Sequence, residues 1–282
     1  LVKIKFWKMH GLGNDYIVID DRKEVIKNPK EQAKRLCRRR FSIGADGLIL
    51  LQKPACNKAD FKMRIFNRDG SEAEMCGNGI RCAAKFCYET AISKREELII
   101  ETKAGLKNVW LKIEDEDVKE VEVNMGKPIF ERKLIPMLGE GTFINEEIKI
   151  EDEVFKATCL SMGNPHCVIF VDDVKNFPVK KFGSKIEAHP LFPNRVNVEF
   201  VKVLNKDALK VRVWERGCGE TLACGTGACA SAVVSNLLKK TERNVLVKLR
   251  GGELKIKVND EVLMSGPAVK VFEGEVEIKI KG

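Results

Sequence analysis

The 282-residue chain carries a formal net charge of +9, with 44% hydrophobic and 32% charged residues, an ordinary balance for a globular chain able to bury a sizeable core. No apolar run reaches the ~18 residues of a membrane helix, and the N-terminal LVKIKFWKMHG turns polar too soon for a signal-peptide core. Ten cysteines in a chain this long read as reduced thiols, not a disulfide framework.

In chain order, apolar runs and alternations predict strands over 3–7, 16–20 and 48–51. Between the last two, Asn28, Pro29 and Glu31 fit the cap, first-turn and capping-box positions of a helix. That helix runs into the basic cluster Lys34, Arg35, Arg38, Arg39 and Arg40. No aromatic ladder for base stacking accompanies the cluster, so it reads as a solvated face and not as a nucleic-acid site. Further strands are predicted over 61–67, 97–102, 107–113, 119–124 and 128–131, then 154–160, 166–171, 197–203 and 208–215. The last set covers 245–250, 253–258, 261–264 and 275–280, with Gly251-Gly252 and Asn259-Asp260 as turns.

An internal repeat organises this pattern. RIFNRDGSEAEMCGNG from Arg64 aligns without gaps on RVWERGCGETLACGTG from Arg212, and GNDYIVID from Gly13 matches GNPHCVIFVD from Gly163. Two matched pairs in the same order, at nearly one offset, point to a duplicated domain. Each CGxG follows a strand and opens a helix, over 78–90 and 226–238. The second helix has no charged residue and must be buried on all sides. The expected fold is therefore α+β: two repeat-related halves, each a curved, mainly antiparallel, barrel-like sheet wrapped around a central helix. The halves are expected to be residues 1–124 with 267–282, and residues 125–266, with 125–128 as the crossing and Gly266-Pro267 as the return.

Duplication singles out Cys76 and Cys224, because the other eight cysteines have no repeat partner. A cysteine just before a helix N-terminus feels the positive end of the dipole and the unpaired N–H groups, which lowers a thiol pKa and holds an anion nearby. Two such motifs, one per half, suggest a substrate carboxylate held between helix N-termini with a thiol on each face of its α-carbon. One thiolate removes the α-proton and the opposite thiol delivers another, inverting the centre; no cofactor is needed. No nicotinamide fingerprint or phosphate loop is present, since Gly11-Leu12-Gly13 continues to Tyr16. No CxxC spacing occurs, and Cys82/Cys87 and Cys224/Cys229 would lie about 140° apart on a helix, so no metal site is expected. Cys82 and Cys229 read as core. If Cys76 and Cys224 approach within disulfide reach, oxidation would join and inactivate them.

The stretch NRDGSEAEMCGNGIRC at 67–82 resembles the signature of the diaminopimelate epimerase family. KMHGLGNDYIVID, SMGNPHCVIF, HPLFPNRVNVEFV, VWERGCGETLACGTGA and GPAVKVFEGE resemble it too, in order and across essentially the whole chain. The resemblance implies interconversion of LL- and meso-2,6-diaminopimelate in lysine and peptidoglycan precursor synthesis, by a cytoplasmic, cofactor-free enzyme, commonly a homodimer. It gives Cys76 and Cys224 the acid/base roles and His166 and Glu215 the tuning of the thiols. Asn14, Asn67, Gly77, Asn78, Asn164, Asn197, Glu215, Arg216, Gly225 and Thr226 match substrate-binding positions. Two positions depart from the pattern: Gly47, where some members carry a polar side chain near substrate, and Phe272, where members often have a tyrosine in the dimer contact. A proline- or hydroxyproline-type racemase on the same duplicated plan is the alternative reading, and a basic nucleic-acid-binding protein the third.

Overall fold

The computed structural model describes residues 2–278. The chain divides into two compact units, one of Leu1–Val123 with Ser265–Gly282 and the other of Asn124–Met264.

The first unit runs β1 (Val2–Gly11), β2 (Asn14–Asp20), α1 (Pro29–Leu36), β3 (Gly47–Gln52), β4 (Phe61–Asn67), the short β5 (Glu72–Ala73), α2 (Gly77–Glu89), β6 (Glu97–Thr102), β7 (Gly105–Glu114) and β8 (Asp117–Asn124). β1 and β2 form a hairpin that turns on Leu12 and Gly13, with φ of 55° and 85°. Two consecutive positive φ angles suit the twist of a two-residue hairpin, and this one delivers Asn14 at the first position of β2. β2 pairs parallel with β3, which pairs antiparallel with β4; β4 then pairs parallel with β6, and β6, β7 and β8 continue antiparallel. Helix α2 is buried from Gly77 to Cys87 and packs on β1, β2, β3, β4 and β7.

The second unit repeats this order. It runs β9 (Glu146–Ile150), β10 (Glu153–Ser161), β11 (Pro165–Phe170), α3 (Val179–Glu187), β12 (Asn197–Asn205), β13 (Ala208–Glu215), β14 (Gly219–Glu220), α4 (Gly225–Leu237), β15 (Asn244–Leu249), β16 (Gly252–Val258) and β17 (Val262–Gly266). The pairing senses match strand for strand: β10–β11 antiparallel, β11–β12 parallel, β12–β13 antiparallel, β13–β15 parallel and β15–β16 antiparallel. α4 packs on β10, β11, β12, β13, β15 and β16. The last strand, β18 (Val269–Ile278), belongs to the first unit and pairs with β1 from Val2↔Ile278 onward. The α+β plan of two similar units, each with its strands packed around a central helix, is thus observed.

The repeated residues have visible structural work. Arg64 forks onto Glu72 at 2.8 Å and Arg212 onto Glu220 at 2.7 Å, fixing the strand pair that leads into each cysteine. β3 is buried along its whole length and β12 over its first five residues, so both faces of these strands are covered. Leu48 and Leu50 of β3 join Leu36 of α1 in one core, and Val198 and Phe200 of β12 join Phe182 and Ile186 of α3 in another. Each such side chain contributes roughly 1.5–3 kcal/mol by burial.

Several expected elements differ. Residues 128–131 form no strand; Ile129 makes one isolated bridge to Ser161, and Arg132–Leu134 is a 3-10 turn. Asn28 makes no side-chain cap, and Glu31 pairs instead with Lys34 at 3.1 Å. That helix stops at Leu36, so Arg38, Arg39 and Arg40 lie in the following turns, and Arg39 binds Asp15 and Asp46. β9, α3 and the short β5 and β14 were not expected. β18 begins at Val269, not 275, and residues 279–280 of that expected strand lie outside the described residues.

Candidate active site

Cys76 and Cys224 occupy equivalent positions: each is the N-cap of its unit's central helix, in extended conformation, with no side-chain cap bond. The helices begin at Gly77 and Gly225, one residue before the expected start. The first turn of a helix leaves N–H groups without intrahelical acceptors, and the dipole makes that end attractive to an anion. The thiols therefore stand at helix ends that favour an anion.

Their surroundings differ. In the first unit the Tyr16 hydroxyl lies 2.9 Å from Cys76 Sγ and also hydrogen-bonds Asn14 Oδ1. Burial, then the neighbouring Cys76, pushes the Tyr16 phenol well above its ordinary range, so it remains a hydroxyl. Asn14 donates to Asp46 Oδ2 at 3.0 Å, and Asn78 Nδ2 reaches Asn14 Oδ1 at 3.4 Å. The fully buried Arg81 grips Asn78 Oδ1 at 2.8 Å and the Gly77 carbonyl at 2.9 Å, fixing the first turn of α2 from below. Asn67, exposed, donates to Ser71 Oγ at 3.0 Å. Gly47 pairs with Tyr16 in the sheet, and a Cβ there would lie 2.9 Å from the Phe66 carbonyl and 3.2 Å from the Tyr16 ring. The tyrosine thus takes the space a side chain at position 47 would need.

In the second unit the Cys224 thiol is buried among acids. Burial first, then the charges of Glu215 and Glu199, push it well above the ordinary thiol range; the Thr226 hydroxyl, 3.4 Å away, and the Gly227 N–H act in the opposite direction. Glu215 is itself raised, chiefly by burial, and accepts from the Thr221 hydroxyl. His166 Nδ1 lies 2.7 Å from Glu199 Oε1, and its Nε2 lies 2.9 Å from Asn164 Oδ1. Asn197 is already occupied: it donates to the Pro165 carbonyl at 2.9 Å and accepts from the Arg216 N–H at 2.9 Å. It braces the strand end that carries His166 against the loop that carries Arg216. The Arg216 guanidinium reaches the Asn194 carbonyl at 3.2 Å.

The structure therefore gathers Asn14, Gly77, Asn78 and Cys76 in one unit, and Asn164, His166, Glu215, Thr226 and Cys224 in the other. Sequence reasoning missed Tyr16, Arg81, Glu187 and Glu199. Glu187 accepts from Trp214 Nε1 at 2.7 Å and the Gly217 N–H at 2.8 Å, steadying the loop after Glu215. The repeat itself held a signal for Tyr16, since GNDY and GNPH place it opposite His166. Among the described residues no cluster of His, Cys, Asp and Glu could hold a metal ion, and no helix is long and apolar enough to cross a membrane.

The sequence profile of the diaminopimelate epimerase family matches residues 6–131 and 158–277. A diaminopimelate epimerase of Acetivibrio thermocellus is 51% identical over 279 residues, covering 98% of this chain and 99% of its own length. One from Methanococcus maripaludis is 49% identical over 279 residues, covering 98% and 100%. Two solved structures share the fold at low identity. A hydroxyproline epimerase from Agrobacterium vitis gives a TM-score of 0.72 at 14% identity, covering 97% of this chain and 91% of its own. A PhzF-family phenazine biosynthesis protein from Bacillus anthracis gives 0.73 at 17% identity, covering 99% and 100%. With the profile reaching into both units and about half the residues shared along the whole length, the chain belongs to the diaminopimelate epimerase family.

Proposed function

We propose that the chain interconverts LL- and meso-2,6-diaminopimelate by a two-base, cofactor-independent mechanism, in lysine and peptidoglycan precursor synthesis. One observation carries this reading: a thiol caps the buried helix of each unit, in a chain about half identical to diaminopimelate epimerases over its full length. In one direction a Cys thiolate takes the α-proton, and the other cysteine's S–H gives its proton to the opposite face. The negative charge that develops on the carboxylate is stabilised by N–H groups of Gly77, Asn78, Gly225 and Thr226, preorganised by the helices. Asn14, Asn67 and Asn164, with Arg216, serve the polar groups of the substrate, while Asn197 contributes by holding the Arg216 loop. His166 and Glu215 tune Cys224. A homodimer belongs to this reading, and Val271 and Phe272, about half exposed on β18, offer an apolar face to a second copy.

Incubation with LL-diaminopimelate in deuterated water tests the proposal directly. Reduced protein is expected to exchange the α-proton and form the meso isomer, and Cys76→Ala and Cys224→Ala are each expected to lose at least ~10³-fold in rate. Absence of exchange in the wild type, or full activity in either variant, overturns it. Competition by proline but not by diaminopimelate would instead favour a proline-type racemase.

A further inference from the structure

We propose that Arg81 is a positioning residue that sets, from beneath α2, which atoms of Asn78 and Asn14 face Cys76. The Arg81 side chain is fully buried and donates from three different nitrogens. Nη1 meets the Gly77 carbonyl at 2.9 Å, Nη2 meets Asn78 Oδ1 at 2.8 Å and Nε meets the Pro267 carbonyl at 3.1 Å. A guanidinium carries donors only, in a fixed planar fork. A side-chain amide can sit either way round, but only its oxygen can accept from such a group. Asn78 is therefore held with Oδ1 on Arg81 and Nδ2 turned to Asn14 Oδ1, 3.4 Å away.

The orientation passes on through Asn14. Its nitrogen donates to Asp46 Oδ2 at 3.0 Å, an oxygen that also accepts from the Asp15 N–H at 3.2 Å, while Asp46 Oδ1 accepts from Arg39 at 2.9 Å. The two asparagines thus lie in one directed chain, with a group that only donates at one end and an acceptor at the other. Reversing either amide would set two N–H groups or two oxygens face to face. The result is that Asn14 turns its oxygen to the Tyr16 hydroxyl and to Cys76 Sγ, 3.8 Å away. Gly11, at the end of β1, leaves room for the fork: a Cβ there would lie 3.0 Å from Arg81 Nη2 and 3.1 Å from Asn78 Cβ.

The second unit is built without this fork. The repeat offset that pairs Cys76 with Cys224 sets Thr226 against Asn78 and Cys229 against Arg81. There Asn164 Oδ1 meets a partner two residues along the chain, His166 Nε2 at 2.9 Å. The first unit's asparagine is instead set from the helix and, through Pro267, from the segment that leads into β18. Rigidity matters at this end of α2 because the N–H groups of Gly77 and Asn78 must be in place before charge develops on the substrate. A displacement of about 1 Å in such a site slows the chemistry by as much as ~10²-fold.

The kinetic part of the test rests on the proposed epimerase activity; the spectroscopic part does not. In arginine-selective NMR of the full protein, assigned through bonds to the backbone, Arg81 is expected to show two distinct, slowly exchanging Nη signals, because each of its nitrogens is held. A freely rotating Arg81 guanidinium overturns the proposal whether or not any variant folds. Arg81→Met keeps the length and removes the donors. It is expected to shift the side-chain amide signals of Asn78 and Asn14 and to leave those of Asn164 in place. Its kcat is expected to fall ~10–100-fold, with KM nearly unchanged, since the N–H groups it steadies act on charge present only in the transition state. Arg81→Lys keeps the charge without the fork and is expected to recover little of that loss. Unmoved Asn14 and Asn78 amides in a folded Arg81→Met, or full activity in Arg81→Lys, overturns the proposal. Wild-type protein with a restrained Arg81 but no epimerisation would sink the function and leave the amide orientation standing.

Discussion

Asp15, one residue after Asn14, ties the first unit's site to its stability. Burial raises its pKa, but Arg39, Lys8 and Asp46 outweigh this and hold the carboxyl down to about 2. The same network positions Asn14, because Asp46 accepts from both Asn14 Nδ2 and the Asp15 N–H. A folded-state pKa below the unfolded value contributes stability that is complete above the unfolded pKa of ~3.9 and disappears as pH falls through the folded value. Asp15→Asn is thus expected to cost ~1–2 kcal/mol near neutrality, after discounting for the half-exposed Arg39. The gap between variant and wild type should close between about pH 4 and pH 2 in urea unfolding curves. At this scale the cysteines were legible because duplication marks them. Glu199 was not, because NVEFV reads as a strand and its lone carboxylate gives no hint of a buried partner 33 positions away. Asn197 matched a substrate position in sequence, yet its amide is already bonded at both ends to backbone.

At the scale of elements, helix α3 shows how tertiary packing outvotes local preference. Its sequence VKKFGSKIE has a central glycine and a proline cap, both poor omens for a helix, yet Val179, Phe182, Gly183, Ile186 and Glu187 form one buried face at helical spacing. A Cβ on Gly183 would lie 2.6 Å from both Cβ and Cγ of Trp214 on β13, so the glycine is the contact itself. Gly183→Ala, which raises helix propensity by ~1 kcal/mol in isolation, is expected to destabilise by about 1–3 kcal/mol through overpacking. Differential scanning calorimetry showing a higher midpoint would refute this. Most of the longer strands and the central helices were legible from their periodicity. β9 was not, because five residues with two leading glutamates leave too short an alternation. Residues 128–131 misled because an apolar pair beside Pro128 looks extended but finds only one bridging partner.

For the whole molecule, continuity of chain and continuity of structure differ between the units. Asn124–Met264 is one uninterrupted segment, whereas the other unit needs Ser265–Gly282 for β18 and for the Pro267 carbonyl that accepts from Arg81 at 3.1 Å. Expressed alone, residues 124–264 are expected to unfold cooperatively on heating. Residues 1–123 alone are not, since they lose the outer partner of β1 and leave a buried guanidinium short of an acceptor. Circular dichroism melts of the two fragments distinguish these outcomes. The repeat made two halves visible in the sequence, because it preserves the residues that shape each turn and fork.

The pairing of Val2 with Ile278 has a consequence for how the protein is made. At ~5–20 residues per second, the ribosome needs roughly 15–55 s after β1 emerges to deliver its last partner. Throughout that interval one edge of β1 offers unsatisfied backbone groups to any passing strand. Lys3 and Lys5, exposed on β1, place positive charges along the waiting strand, a deterrent to intermolecular pairing. The nascent chain thus keeps β1 in reserve, protected by charge, until β18 clears the exit tunnel and closes the unit.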